Sequence, residues 1–280
     1  MIKVLKAGFY TTIQDKGRFG FANIGVPISG AMDAYAMDLA NAILNNNLNC
    51  AVLELNFSNC KFQFLETTTI CISGADFSPK INDTLVKQNT RIAIHKNDVL
   101  TFGKINYGAR TYIAVLGGLA SEVKLKSRSM FKCITKMKKI EDGTILHFKQ
   151  KMESPELSYA SIKVHKNYFD EGLLNCCKGP EFNLLTALQK EQLFAEKYTI
   201  SNDMNRMGYR LNESLQNNLS SIITSSALPG TVQLTPSGKL IVLMKDCQVT
   251  GGYPRILQLK ESALNILAQK TVGCKIQFSL

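Results

Sequence analysis

RIAIHKNDVLTFGKINYGARTYIAV, residues 91–115, reads as short strands punctuated by turns. Arg91–Ile94 and Val99–Phe102 flank Lys96-Asn97-Asp98, where Asn and Asp supply the side-chain bonds and backbone tolerance that a tight turn needs. Thr111–Val115 then brings β-branched and aromatic residues suited to a pleated surface. The pattern extends in both directions. Upstream lie Ile2–Lys6, Val52–Phe57, Phe62–Phe64 and Thr69–Ser73; downstream lie Thr144–Phe148, Ser221–Thr224, Thr231–Leu234, Lys239–Met244 and Lys275–Phe278. Ser58-Asn59, Asn82-Asp83, Glu141-Asp142-Gly143 and Ser237-Gly238 supply turns between them.

Three segments carry helical spacing instead. Asp33–Leu44 places Ala36, Leu39, Ala40 and Ile43 on one face, with Gly30 as expected N-cap and Asp33 in the first turn. Thr186–Phe194 opens with Thr-x-x-Gln, a capping box, and Glu261–Gln269 buries Leu264, Leu267 and Ala268. Many strands and few helices predict a mainly β protein of barrels or sandwiches. The polar stretch 149–159, KQKMESPELSY, is the expected link between two units, residues 1–150 and 151–280.

A chain of 280 residues that is 45% hydrophobic and 20% charged can bury a full core. The start lacks a signal peptide's basic and apolar regions, and no apolar run reaches the roughly 18 residues of a membrane span, so a cytoplasmic protein without membrane contact is expected. Eight cysteines with no CxxC pair and no zinc spacing read as reduced, mostly buried thiols, and no metal site is expected. The net charge of +11 is spread out. Its densest patch, Lys132–Lys139, has no interleaved aromatics, which argues against nucleic acid and reads as a solvated loop or an anion-friendly face; an acidic partner or an anionic small substrate would also suit the charge.

Three clusters combine flexible backbone with polar side chains. Residues 11–33, TTIQDKGRFGFANIGVPISGAMD, hold four glycines before a helix start, with Asp15 and Arg18 able to fix the loop and Gly30 at its end; the order is not that of a P-loop. Residues 202–211, NDMNRMGYRL, place Arg206 and Arg210 four apart, and paired guanidinium forks suit a carboxylate or phosphate. Residues 243–256, LMKDCQVTGGYPRI, gather Asp246, Gln248, Thr250, Gly251, Gly252, Tyr253 and Arg255 past the end of an apolar strand. Asp15, Asp76 and Asp246 are the candidate general bases. The three histidines, 95, 147 and 165, are isolated and read as structural. These glycine loops and arginines are expected to meet in one anion-receiving cleft.

Taken together the clusters closely resemble one family, called allophanate hydrolase subunit 2-like or biotin-dependent carboxyltransferase-like. To it belong the C-type components of bacterial 5-oxoprolinases and the carboxyltransferase segments of urea carboxylases. After residues 11–33 the matches continue in order with Leu53-Glu54, ISGAD (72–76), GARTYIAVLGG (108–118), SRS (127–129), KGPEF (178–182), NRMGYRL (205–211), PGTVQLTPSGK (229–239) and KDCQVTGGYPRI (245–256). Lys126 stands where the family usually has Gly, Met130 where it has Thr, Ser226-Ala227 where it has Glu-Gly, and Leu240 where it has Pro.

The resemblance implies two linked β-barrel units, the C-terminal one cyclophilin-like, with a few short helices. It implies a hydrolase component of an ATP-dependent 5-oxoprolinase complex, acting with B-type and A-type partner proteins to open a small amide substrate, 5-oxoproline, to glutamate. ATP enters at the level of the complex. Two other family roles are implied as alternatives. One is the carboxyltransferase component of a biotin-dependent urea or amide carboxylase, with biotin carried on another chain because no Met-Lys-Met type motif occurs here. The other is a regulatory protein that antagonises a kinase inhibitor.

Overall fold

The computed structural model describes residues 1–56, 59–149, 162, 164 and 167–280. Most of the expected link, together with Phe57, Ser58 and His165, lies outside them. The described chain is mainly β, with four helices at Ala34–Ile43, Asn167–Asp170, Ala187–Ala195 and Glu261–Ala268. It divides into two compact units. The first comprises Met1–Arg18 and Ser29–Phe169, the second Phe19–Ile28 and Asp170–Leu280. The division falls at 169/170 rather than 150/151, and ten residues of the glycine-rich loop, Phe19–Ile28, go with the second unit.

Two sheets build the first unit. One runs Ile145–Leu146, Ile2–Lys6, Lys61–Phe64, Val99–Thr101, Lys80–Ile81, Thr84–Leu85; the other runs Tyr10–Gln14, Val52–Asn56, Tyr107–Val115, Thr68–Asp76, Ile92–Ile94. Alternation along the second sheet splits its side chains between two cores. Leu53, Leu55, Ile70, Ile72, Ile113 and Val115 join Ile2, Val4, Phe62, Phe64 and Leu100 of the first sheet. Their neighbours Val52, Cys71, Tyr112 and Ala114 point the other way, onto Ala36, Met37 and Ala40 of the first helix and Leu44, which caps its C-terminal end. That helix is capped by Asp33, whose carboxylate accepts from Ala36 N at 3.0 Å, and not by Gly30 as expected. A carboxylate accepts a free helix N–H, which glycine lacks the side chain to do.

Gly30 serves the backbone instead. Its φ is +91°, and a Cβ there would lie 3.0 Å from backbone atoms of Asp15, Lys16 and Gly17.

The second unit is a closed barrel in the order Leu173–Lys178, Arg255–Leu259, Thr231–Leu234, Lys239–Leu243, Gly208–Ser214, Tyr198–Met204, Lys275–Ser279. Period-two alternation buries Leu174 and Cys176, Ile200, Tyr209 and Leu211, Val232 and Leu234, Leu240 and Val242, Ile276 and Phe278. The capping box forms as expected: Gln189 N donates to Thr186 Oγ1 at 3.2 Å and Thr186 N to Gln189 Oε1 at 2.8 Å. The strand expected at Ser221–Thr224 forms instead at Ser225–Ser226, paired with Thr250–Gly251.

Candidate functional site

A cleft of about 520 Å³ opens on the second unit. Its lining comes from the register of three barrel strands. Arg210 pairs with Ile241, and Ile241 with Gln233. The buried residues Tyr209, Val242 and Val232 alternate with these three, so Arg210, Ile241 and Gln233 form one cross-strand row on the face opposite the barrel core. With strands about 4.8 Å apart, Arg210 and Gln233 stand roughly 10 Å from each other across an apolar floor. Gly208, Leu243, Asp203, Asn205, Met207, Gln248 and Tyr253 complete the wall.

The polar groups of this wall differ in how they are held. Asn205 Oδ1 accepts from Met207 N at 2.7 Å, which fixes the turn before the strand. Gln233 is 2% exposed, and its Nε2 is buried with no acceptor among the described residues. A Cβ added at Gly251 would fall 2.7 Å from that Nε2 and 3.7 Å from Gln248 Nε2, so the bare glycine leaves space beside two amides. A buried N–H without a partner costs on the order of 1–3 kcal/mol, and a binding site is one place where such a cost persists.

Of the expected residues, Arg210, Gln248 and Tyr253 line the cleft. Arg206 does not join Arg210 there. It lies in the turn before the strand, buried, with Nε 2.7 Å from Asp246 Oδ2 and a terminal nitrogen 3.1 Å from Oδ1. Asp246 is thereby occupied as an ion-pair partner. Arg255 is held the same way: Nε and a terminal nitrogen meet the two carboxylate oxygens of Glu181 at 3.0 and 2.9 Å, and another nitrogen donates to Ser226 O at 2.9 Å. This fork keeps the Glu181 carboxyl below the usual range. Thr250 and Gly251 form their short strand with Ser225–Ser226, and a Cβ on Gly252 would meet Ile222 O at 3.0 Å.

Asp15, Arg18, Gly30 and Asp76 belong to the first unit. Asp15 is a buried acceptor: Oδ1 takes the hydroxyls of Ser127 and Ser129 at 2.6 Å each and Gly17 N at 2.8 Å, and Oδ2 takes Arg128 N at 2.6 Å. Arg18, also buried, donates to Ser129 O. Asp76 accepts from Ser78 N at 2.8 Å and Asn106 Nδ2 at 2.9 Å. All three carboxylates expected as bases are thus tied up in hydrogen bonds or an ion pair.

All eight cysteines are free thiols. Burial pushes Cys71 and Cys247 up to about 12 and Cys176 to about 11, which keeps them protonated near neutrality. Among the described residues no group of three or more His, Cys, Asp or Glu is placed to hold a metal, and no helix is long and apolar enough to cross a membrane.

Sequence reasoning passed over Gln233, Asp203, Asn205 and Glu181. The last two sit inside the motifs NRMGYRL and KGPEF, but nothing within those motifs shows what their side chains meet. Gln233 is one amide in an apolar strand, the ordinary mark of a solvent-facing position.

The carboxyltransferase domain, subdomain A and B, matches residues 24–280. The chain is 30% identical over 290 residues to the C-type component of the Escherichia coli K12 5-oxoprolinase, covering 99% of this chain and 90% of that one. It is 32% identical over 239 residues to urea amidolyase of Lachancea kluyveri, covering 75% of this chain but only 12% of that protein. The solved Kluyveromyces lactis urea carboxylase superposes with a TM-score of 0.87 at 27% identity, over 99% of this chain and 27% of that one.

Proposed function

Because the chain belongs to the carboxyltransferase domain family, subdomains A and B, and is homologous to the C-type component of 5-oxoprolinase, we propose that it plays that part in an ATP-dependent complex that hydrolyses 5-oxoproline to glutamate. The observation that carries this reading is the pairing of one cation with amide groups in the barrel cleft. Arg210 offers a fork for a carboxylate, while Gln233, two strands and so roughly 10 Å of backbone away, and Gln248 offer amides in the same cleft. A lactam acid has one group for each. The match along 90% of the 5-oxoprolinase relative supports the same assignment.

The lining suits a small mono-anion better than ATP. A triphosphate needs several cations or a ring of backbone N–H donors, whereas the wall supplies Arg210 against the opposing charge of Asp203. The ATP-using step is therefore assigned to the B-type and A-type partners, and the chain's own part is to hold and orient the amide. A second reading, a biotin-dependent amide carboxyltransferase, is supported by the carboxyltransferase family model and by the urea amidolyase and urea carboxylase matches, of which the chain spans only 12% and 27%. Biotin would then arrive on another chain and supply the carboxylate to be transferred.

The test is co-purification with the B-type and A-type partners, followed by an assay of 5-oxoproline-dependent ADP and glutamate release. Loss of release on omitting this chain is the expected result. Unchanged release would remove it from the enzyme, and activity that needs a biotin carboxylase would select the second reading.

A further inference from the structure

We infer that Gln233 is a specificity-determining residue, whose Nε2 donates to the carbonyl oxygen of a small carboxylic acid bearing an amide, with Arg210 pairing the acid. The inference rests on the reading of the barrel cleft as the small-molecule site and names what each end of it grips. Its basis is a donor that the fold leaves unused. Gln233 is 2% exposed, its Nε2 is buried without an acceptor among the described residues, and it lines the cleft. Had the position served only packing, an aliphatic side chain of similar size would fill it without stranding an N–H group. The adjoining Gly251 keeps the approach open, since a Cβ there would fall 2.7 Å from Nε2. At the other end of the row, the Arg210 side chain has no ion-pair or hydrogen-bond partner among the described residues, whereas those of Arg206 and Arg255 are each paired with a carboxylate.

The chemistry follows from the spacing. Arg210 and Gln233 flank Ile241 on successive strands, so the ligand is a short molecule with an anionic end, an apolar middle and a carbonyl end. A lactam acid and an open ureido acid both satisfy this. A ring acid without an amide meets Arg210 and Ile241 but leaves Gln233 stranded.

The full chain is titrated calorimetrically with 5-oxoproline, with cyclopentanecarboxylate (the same ring size and carboxylate, no amide) and with N-carbamoylglycine. The wild type is expected to prefer 5-oxoproline over cyclopentanecarboxylate by about tenfold, the ratio one well-placed hydrogen bond gives. Gln233→Leu and Gly251→Ala are each expected to erase that preference. Gln233→Leu is also expected to unfold at the same or a higher denaturant concentration, because it removes a stranded polar group; a structural glutamine would show the reverse.

If Gln233→Leu keeps the preference, or the wild type binds neither amide acid, the inference is overturned. Binding of N-carbamoylglycine alone, dependent on Gln233, upholds the inference while counting against 5-oxoproline as the substrate. Glutamate release that needs this chain, without binding by it, upholds the oxoprolinase reading and sinks the inference.

Discussion

Arg206 and Asp246 form a two-point ion pair with both side chains under a tenth exposed, Nε to Oδ2 at 2.7 Å and a terminal nitrogen to Oδ1 at 3.1 Å. Their backbones meet as well, Asp246 N donating to Arg206 O at 2.8 Å. The pair thus ties the turn that carries Asn205 and Met207 to the one that carries Gln248, and those three residues line the cleft. Removing one partner of a buried pair strands the other charge. Asp246→Ala is expected to cost about 3–5 kcal/mol, while the double variant Arg206→Met/Asp246→Leu recovers most of the loss. Urea unfolding of the three proteins checks this, and a single-variant loss below about 1 kcal/mol would contradict the buried-pair description.

The second pair, Glu181 with Arg255, predicts a pH dependence. The Arg255 fork lowers the folded-state pKa of Glu181 below its unfolded value of roughly 4.3. A depressed carboxylate contributes stability above the unfolded value and loses it as pH falls through the folded value. Glu181→Gln is therefore expected to be less stable than wild type at pH 7, with the gap closing as pH drops below about 4. Unfolding midpoints measured from pH 7 down to pH 3 test this; a gap that stays constant would assign the loss to packing instead of charge.

How much of this was legible in sequence differs by element. The strands and the Thr186–Gln189 box were readable because alternation and capping are local. Arg206 and Arg210 show why the site was only partly so. Side chains two or four apart share a face only inside a strand, and the strand begins at Gly208, after Arg206. The partner that draws Arg206 inward lies 40 residues further on. Gln233 was hidden for a related reason: only its register opposite Ile241 shows that the outer face of its strand is covered. The loop at Lys126 is a case where sequence and structure meet. Its φ is +63°, a left-handed backbone at the position where the family usually has glycine.

The thiols give an accessibility prediction. Cys133 and Cys177 are exposed, while Cys60, Cys71, Cys176 and Cys247 are buried. Burial also raises three of the buried four, Cys71, Cys176 and Cys247, so little thiolate is present to react. In native protein a disulfide-exchange dye is expected to label Cys133 and Cys177 fast at pH 8 and the buried four only on unfolding. Fast labelling of Cys71 would mean that the helix Ala34–Ile43 lifts from its sheet, because Cys71 packs against that helix.

Asp15 offers the sharpest separation of a structural from a chemical role. Its two oxygens accept from Ser127, Ser129, Gly17 and Arg128, and its backbone N donates to Ser129 Oγ at 3.0 Å. A carboxylate satisfied in this way anchors residues 127–129 to the end of the strand Tyr10–Gln14. Asp15→Asn turns one acceptor into an NH₂ donor facing N–H and O–H donors, so it is expected to cost about 2–4 kcal/mol. A Ser127→Ala/Ser129→Ala double variant should lose a comparable amount, and adding it to Asp15→Asn should cost little more, since all three changes break one network. Additive losses in chemical denaturation would mean that the hydroxyls and the carboxylate act independently. If Asp15→Asn kept full stability and lost only activity in the assembled complex, the carboxylate would belong to the chemistry and not to the fold.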